Sequence, residues 1–301
     1  MNLISVTNSR FGPSIGMALT RLLPASVIYR LAERIAARTA DLSESDTIRN
    51  LRVNQAVLRG LPIDHPDIDE HVRTVLRNAA RGYVTLYRAM ARGLDAMLDA
   101  GPFSPDLLEG FHTALDDGKG LIVAGTHMGS FDIFLMTLTG RGLPVQALSI
   151  RDPQGSHRMQ NQMRRRYGLE IAPVSMPSLR RAVKHLRNGK MVLTGVDLPA
   201  PEGMELMFMG RPTRLPVGHA KLSVLTGAPI YVIACPSLDE YRYLARGSGP
   251  IFPEITGDTK QDVRRLAQRV IETLEGYIRR WPDEWLMFFP LWPELAPGAG
   301  K

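Results

Sequence analysis

The chain has a single cysteine and no long uncharged apolar run. One cysteine, Cys235, excludes disulfides within the chain, and its place in the run PIYVIAC indicates a buried thiol in a reducing cytoplasm. The sequence contains no stretch of about 18 uncharged apolar residues, which argues against a membrane-spanning helix and against a secretory signal peptide. Proline and glycine are dispersed, so we expect one domain over residues 1–301.

Several catalytic signatures are also missing. The chain has no G-x-S-x-G elbow, no P-loop and no dinucleotide glycine fingerprint, which disfavours serine hydrolases, NTPases and Rossmann dehydrogenases. Its histidines show no metal-ligand spacing, and no H-E-x-x-H motif or cysteine cluster occurs. We therefore expect neither a metal nor another cofactor.

The net charge of +7 is unevenly distributed. Residues 151–190 carry ten Lys and Arg against two acids, Asp152 and Glu170. Because no zinc-finger or RNA-binding signature accompanies this segment, nucleic acid is a poor partner for it. An anionic membrane surface, or the phosphates of a nucleotide-bearing substrate, fits better, and a solvated surface role is the alternative for each arginine.

The N-terminal segment from Phe11 to Ala37 combines apolar stretches with Arg21, Arg30 and Arg34. This composition is typical of a helix that lies in the membrane interface, with arginines reaching the head groups. A helical hairpin packed on the core is the alternative. The first interpretation predicts a peripheral protein on the cytoplasmic face of the cell inner membrane.

The two parts of the chain differ in periodicity. Residues 1–100 are expected to be mostly helical and membrane-associating, and residues 101–301 to form the catalytic core. The core contains apolar runs that predict strands at 121–125, 145–150, 169–174, 191–196 and 230–235. Helical segments between them predict an α/β fold with a mostly parallel central sheet flanked by helices. One such helix has Ser178 as its expected N-cap, and the last helix spans roughly 262–280.

The run GTHMGSFD, which follows the first of these strands, pairs His127 with Asp132. Residues five apart cannot touch on a continuous helix, so the chain must turn between them, and Gly129 allows that turn. We expect a strand that ends at Thr126 and a helix that starts near Ser130. Asp132 would orient the imidazole as a general base at the carboxyl end of the strand. A purely structural histidine is the alternative.

Other residues are candidates for the same cleft. Asp197 ends the run MVLTGV and can project from the carboxyl end of a strand, although it can also be a turn-forming residue before Pro199. Segment 208–229 reads as an irregular loop with Gly210 and Gly218, followed by a helix at 219–225. Backbone N–H groups near Gly218 form a candidate anion or oxyanion site, or the solvated start of a helix.

Four motifs in order resemble the lysophospholipid acyltransferase superfamily. They are GTHMGSFD, the V-D-L at 196–198, the block FMGRPTRLPVGHAKLSVLTGAP at 208–229 and the tail WPDEWLMFFPLW at 281–292. Together with IRNLRVNQAVLRG at 48–60 they cover most of the chain. The chain is most similar to bacterial lipid A biosynthesis lauroyl/myristoyl acyltransferases and to actinobacterial phosphatidylinositol mannoside acyltransferases. Leu198 stands where relatives carry a polar residue, and the N-terminal anchor of many lipid A enzymes looks absent or reduced.

The resemblance implies transfer of an acyl chain from acyl-CoA or acyl-carrier protein to a hydroxyl of a membrane lipid. His127 would be the general base, Asp132 would hold it, and Asp197 would be a second acid. An arginine before a glycine would bind substrate phosphate, and Arg166, which is nearest to the Tyr167-Gly168 break, ranks before Arg164. Gly210 and Gly218 fall among the substrate-binding positions. A catalytically silent lipid-binding protein of the same fold and a basic nucleic-acid-binding protein are the rival hypotheses.

Overall fold

The computed structural model describes residues 12–42, 45–153 and 155–296. Within these residues the chain forms eleven α-helices and eight β-strands. The helices are α1 (Gly12–Leu22), α2 (Ala25–Ala40), α3 (Asp46–Arg59), α4 (Asp67–Arg92), α5 (Leu94–Ala100), α6 (Pro105–Asp116), α7 (Phe131–Gly140), α8 (Gly155–Arg166), α9 (Met176–Arg187), α10 (Gly218–Thr226) and α11 (Thr259–Arg280). The strands are β1 (Leu121–Gly125), β2 (Val145–Ser149), β3 (Glu170–Pro173), β4 (Met191–Gly195), β5 (Met204–Phe208), β6 (Arg211–Leu215), β7 (Ile230–Ala234) and β8 (Arg246–Ile251).

Six strands form one sheet in the order β3-β2-β4-β1-β7-β8. All neighbours are parallel except β7 and β8, which are antiparallel. The five parallel strands coincide with the five apolar runs, so the predicted α/β fold with a mostly parallel sheet is confirmed. β1 and β4 are neighbours, and Gly125 pairs with Gly195 at their carboxyl ends. This register decides which loops meet in the candidate site.

Both faces of the sheet are covered, because side chains alternate between them along each strand. Ile122 and Ala124 of β1 pack into the core that α9, α10 and α11 share, whereas Leu121 and Val123 pack into the core of α6 and α7. Burial on two faces explains why the strands read as continuous apolar runs rather than as alternating ones.

Six of the described helices precede the first strand, which confirms the predicted N-terminal helical region. Helix α4 packs against α2, and the Tyr29 hydroxyl lies 2.7 Å from the Thr85 hydroxyl between them. Phe11 of the predicted interfacial segment lies outside the described residues. From Gly12 onward the segment forms α1 and α2, whose Ile28 and Tyr29 are buried and whose Leu22 and Leu31 are exposed. The segment therefore packs on the core and also presents an apolar outer surface.

None of the described helices is long and apolar enough to cross a membrane.

The segment predicted as an irregular loop begins with a β-hairpin, so that part of the prediction was wrong. β5 and β6 pair in antiparallel register around a turn in which Met209 has φ 53° and Gly210 has φ 77°. Positive φ at both turn residues is the geometry that matches the twist of a tight hairpin. Asn-Gly is the usual sequence signal for such a turn. Here the turn residues are Met209 and Gly210, so the sequence does not indicate a hairpin. The following helix runs from Gly218 to Thr226, close to the prediction.

The N-cap predicted for α9 was also wrong. The helix begins at Met176, and Ser175 is its N-cap. The Ser175 hydroxyl accepts from the Ser178 backbone N–H at 3.3 Å, while the Ser178 hydroxyl accepts from the Ser175 N–H at 2.8 Å. This reciprocal pair is a capping box, so Ser178 stabilises the helix start from its third position.

Amide side chains of α3 and α4 hold the Trp-rich tail in place. The Asn54 amide nitrogen donates to the carbonyls of Met287 and Phe289, both at 2.9 Å. Asn50, Gln55 and Asn78 donate to other tail carbonyls, at 3.1, 3.2 and 2.9 Å. Each such bond contributes about 1 kcal/mol net. The IRNLRVNQAVLRG segment therefore fixes the path of the tail past the end of β1.

Candidate active site

His127 lies in the connection between β1 and α7, as its sequence position predicts. Gly129 has φ 56°, and a Cβ at this residue would lie 1.9 Å from the Cys235 carbonyl oxygen, so glycine is required for the turn. Helix α7 starts directly after Ser130. The tail passes along the same connection, where the Leu286 N–H donates to the His127 carbonyl at 2.8 Å. The backbone of His127 is thus fixed from two sides.

The carboxylate that holds the imidazole is that of Asp197. Its Oδ1 lies 2.6 Å from Nδ1 of His127. Its Oδ2 accepts from the Thr126 hydroxyl at 2.8 Å, from the His127 N–H at 2.9 Å and from Nε1 of Trp285 at 3.1 Å. Asp197 is fully buried, with 0% exposure. Four hydrogen bonds thus satisfy a carboxylate that is removed from water.

The ionised form of Asp197 is favoured in this position. Burial alone would raise the pKa of the carboxyl group, but the charge of His127 in its protonated form and the hydrogen bonds from His127 and Thr126 outweigh it, and the pKa lies below its usual value. An ionised carboxylate can only accept hydrogen bonds, so Nδ1 of His127 carries the proton of the neutral ring. The lone pair of the neutral imidazole then lies on Nε2.

The His127 ring remains partly accessible to solvent. The side chain is 21% exposed, and Nε2 makes no hydrogen bond to a described residue. The Phe131 ring packs edge-on against the imidazole with 4.8 Å between centroids. On the other side a Cβ at Gly195 would lie 3.1 Å from Cε1 of His127, so glycine lets the ring lie close to β4. The ring is therefore oriented while it remains partly accessible.

Asp132 does not occupy the place predicted for it. It lies in the first turn of α7, as expected, but its Oδ1 accepts from Nε of Arg164 at 2.7 Å, and no hydrogen bond joins it to His127. The reason is the sheet register: Asp197 follows β4 by two residues, as His127 follows β1, and these strands are neighbours. Asp132 instead faces α8. The predicted Asp132–His127 hydrogen bond was wrong, and a catalytic role for Asp132 stays a prediction.

The two candidate arginines have different surroundings. Arg164 is buried, binds Asp132 and also donates to Oδ1 of Asn161 at 3.0 Å. Arg166 is exposed and forms no ion pair with a described residue. Of the two, only Arg164 contacts Asp132, and which arginine binds substrate stays a prediction. The position after a helix end carries no information on the direction of the side chain, because neighbouring helical residues point about 100° apart.

The two candidate glycines are also separated. Gly218 is the first residue of α10 and makes no hydrogen bond to His127, Asp132 or Asp197. Gly210 lies in the exposed turn between β5 and β6 and makes no hydrogen bond to His127, Asp132 or Asp197. Substrate binding by either glycine stays a prediction.

Three further residues lie at or beside the site without a sequence motif that marks them. Trp285 was recognised only as part of the tail, although its indole N–H binds Asp197. Asn161 bridges Arg164 to the Ser149 hydroxyl, which lies 3.1 Å from its amide nitrogen. His157 lies on the same face of α8 as Asn161 and Arg164. Its position relative to the other histidines does not fit a metal site, so no motif in the sequence singled it out. The spacing of His157, Asn161 and Arg164, at i, i+4 and i+7, was the available signal.

Comparison with known proteins gives one family. The sequence profile of the family described as bacterial lipid A biosynthesis acyltransferase matches residues 10–294. A phosphatidylinositol mannoside acyltransferase of Mycolicibacterium smegmatis is 26% identical over 296 residues, which cover 93% of this chain and 90% of the relative. Two proteins of the same name from Mycobacterium tuberculosis strains are each 29% identical over 212 residues, 68% of this chain and 63% of each relative.

Proposed function

This chain belongs to the bacterial lipid A biosynthesis acyltransferase family and is an acyltransferase, and we propose that His127 is its general base. The observation that carries the proposal is the hydrogen bond of 2.6 Å between Nδ1 of His127 and a fully buried Asp197, which leaves Nε2 free. A neutral imidazole held in this tautomer can accept a proton in the cleft.

The reaction we propose is direct acyl transfer. Nε2 of His127 takes the proton of an acceptor hydroxyl while the hydroxyl oxygen attacks the carbonyl carbon of an acyl thioester. Asp197 stabilises the imidazolium that forms. When the carbon–sulfur bond breaks, the thiolate leaves and takes the proton from Nε2. A thioester is reactive enough that no acyl-enzyme is needed, which agrees with a site built around a base rather than a nucleophile.

Asp132 and Arg164 have a supporting role in this proposal. Their buried ion pair links the first turn of α7, which follows His127, to the last turn of α8. One edge of the Arg164 guanidinium is used by Asp132 and Asn161. We infer that the pair fixes the wall of the cleft, and that the remaining NH2 group of Arg164 binds an anionic part of a substrate.

The acceptor we propose is a hydroxyl of a membrane glycolipid. The support is the family description and the names of the mycobacterial relatives, which denote acyltransferases of lipid A and of phosphatidylinositol mannosides. Both acceptors are lipids with sugar hydroxyls. Acyl-CoA and acyl-carrier protein are both candidate donors, since each presents a thioester on the same phosphopantetheine arm.

We further propose peripheral binding at the cytoplasmic face of the inner membrane. Val27, Arg30, Leu31 and Arg34 lie on one exposed face of α2, at i, i+3, i+4 and i+7, and Leu22 at the end of α1 is 80% exposed. Apolar residues next to arginines are typical of a surface that inserts shallowly into anionic bilayers.

A transfer assay tests the function. Purified protein is mixed with vesicles that contain a glycolipid acceptor, and acyl-CoA and acyl-carrier protein are offered separately as labelled donors. Lipid extracts of cells with and without the gene, compared by mass spectrometry, identify the natural acceptor by one missing acyl chain. Transfer to a glycolipid hydroxyl supports the proposal. Binding of donor and acceptor without transfer, and an unchanged lipid profile, would instead indicate a silent lipid-binding protein.

A further inference from the structure

Helix α8 presents a row of polar side chains toward the candidate site. His157, Asn161 and Arg164 lie at i, i+4 and i+7 on one face of this helix. Asn161 and Arg164 are buried and hydrogen bonded to each other, and Arg164 binds Asp132 beside the His127 connection. His157 is the member of the row without such a partner: neither of its ring nitrogens makes a hydrogen bond to a described residue.

The His157 ring is held by packing instead. It lies against the ring of Phe289, with 6.0 Å between centroids and 31° between planes. Phe289 belongs to the tail, and the Asn54 amide nitrogen fixes it by donating to its backbone carbonyl at 2.9 Å. His157 and Phe289 therefore join α8 to the tail, and His157 lies close enough to His127 and Asp132 for their charges to act on its ring. Two free ring nitrogens at this place are available to a substrate.

The charges around His157 keep its ring neutral. Burial lowers the pKa of His157, the positive charge of Arg164 lowers it further, as does His127 when it is protonated, and Asp132 opposes them. A neutral imidazole has one N–H donor and one lone pair. No carboxylate of the described residues hydrogen bonds to this ring, so it lacks a partner like the one that Asp197 provides for His127. A phosphate would bind best to a protonated ring, and the neighbouring cations disfavour protonation. His157 is therefore poorly suited to binding a phosphate.

The proposed reaction requires a hydrogen-bond donor to the carbonyl oxygen, which His127 does not supply. Attack on the thioester places negative charge on the carbonyl oxygen, and a fixed N–H group stabilises that charge. Nε and one NH of Arg164 already bind Asp132 and Asn161. A neutral imidazole is able to polarise a carbonyl oxygen without giving up its proton.

We propose that His157 is a further catalytic residue, whose ring N–H donates a hydrogen bond to the carbonyl oxygen of the acyl thioester. The inference rests on the proposed acyl transfer from a thioester donor. The bond strengthens as the oxygen becomes an oxyanion and relaxes when the carbon–sulfur bond breaks, and His157 transfers no proton. Phe289 positions the ring by packing against it.

Two substitutions separate this role from packing. His157→Phe keeps a ring beside Phe289 and removes the N–H, whereas His157→Gln keeps an N–H donor and removes the ring. Loss of one oxyanion donor lowers kcat by roughly 10²–10³-fold. We expect that loss for His157→Phe, with the KM for the acyl donor changed by less than about threefold, and partial retention of kcat by His157→Gln. His112→Phe, at an exposed histidine on α6, is the matched control.

A binding measurement gives a readout that does not depend on turnover. The probes are a thioether analogue of the donor, which lacks the carbonyl, and a ketone analogue, in which CH2 replaces the thioester sulfur. Both are carried on the donor that the wild-type protein uses. We expect the ketone to bind more tightly than the thioether to wild-type protein in calorimetric titrations, and this preference to vanish in His157→Phe.

The outcomes are distinct. If wild-type protein transfers no acyl group, the proposed function fails, whatever the variants do. If wild-type protein is active and His157→Phe matches it, only the role of His157 fails. Equal loss in both variants, together with a lowered melting temperature and an unchanged ketone preference, would also overturn it, because it would show a packing role alone.

Discussion

Oδ1 of Asp197 lies 2.6 Å from Nδ1 of His127, although the two residues are 70 positions apart in the chain. Both follow neighbouring parallel strands by two residues, because Gly125 pairs with Gly195. The other oxygen of the carboxylate accepts from the backbone N–H of His127 at 2.9 Å. Asp197 thus holds both the ring and the main chain of the histidine.

Replacing Asp197 by Asn should abolish most of the activity. The three donors to Oδ2, from Thr126, His127 and Trp285, would meet an amide N–H2 group in one orientation, and Nδ1–H of His127 would meet it in the other. We expect kcat to fall by roughly 10³–10⁴-fold, since the tautomer is no longer enforced. Initial rates at saturating donor and acceptor measure this. Asp239→Asn, at an exposed site, is the control, and an Asp197→Asn rate close to that of the control would contradict the role of Asp197.

Arg164 and Arg166 should respond differently to substitution. Arg164→Ala leaves a buried carboxylate on Asp132 without its partner, which destabilises a protein by about 3–5 kcal/mol. Arg166 is exposed, so Arg166→Ala should change stability by less than about 0.5 kcal/mol. Urea unfolding measures both effects. The double variant Arg164→Met/Asp132→Leu should recover part of the stability but not the activity, and equal stability of the two alanine variants would exclude the buried pair.

His219 should make stability depend on pH. It is fully buried in the first turn of α10, neither ring nitrogen has a hydrogen-bond partner among the described residues, and burial lowers its pKa from 6.5 to about 4. Between these values the unfolded chain binds more protons than the folded protein, so the free energy of unfolding falls as pH falls from about 6.5 to about 4. The loss through His219 amounts to at most about 3.5 kcal/mol, at about 1.4 kcal/mol per pH unit.

The variant His219→Leu isolates this contribution from other titrating groups. It should equal or exceed wild-type stability at about pH 5, because it also removes two buried nitrogens without partners. Urea unfolding at neutral pH and at about pH 5 measures the difference, with the exposed His112→Leu as control. A parallel loss of stability in wild-type and His219→Leu protein would show that His219 does not titrate in this range.

The outer face of α1 and α2 should determine membrane binding. Leu22→Asp/Leu31→Asp should lower binding to anionic vesicles at least about tenfold, because two apolar side chains no longer insert. High salt should weaken the binding of wild-type protein, since each arginine near an anionic surface contributes about 1 kcal/mol. Vesicle flotation measures both effects, and Leu225→Asp on α10, an exposed leucine elsewhere, is the control. Binding that neither salt nor the double substitution reduces would place the membrane contact on another surface.

The strand, turn and helix that carry the site residues could be predicted from the sequence, but the hydrogen-bond partner of His127 could not. The strand before His127, the turn at Gly129 and the helix that carries Asp132 follow from local patterns and agree with the structure. The choice between Asp132 and Asp197 as the partner of His127 depends on β4 being the neighbour of β1. Strand order is a tertiary property, and no local pattern encodes it.

The direction of individual side chains was the second property that could not be predicted from the sequence. Arg164 and Arg166 belong to one run of three arginines, and only the packing of α8 against α7 decides that Arg164 is buried. The hairpin of β5 and β6 was hidden by the Met209-Gly210 turn and by Pro212 within β6. His157 belongs to no motif, and its place beside the tail appears only when α8 and the tail are brought together.

The most direct test of the account is the rate of acyl transfer by His127→Ala. The substitution removes the base and leaves the sheet and the tail in place, and loss of a general base lowers a rate by roughly 10²–10⁴-fold. We expect a loss of this size in a purified assay with labelled thioester donor, an unchanged melting temperature, and no loss for His112→Ala. Transfer by folded His127→Ala protein at a rate close to wild type would contradict the proposed role of His127.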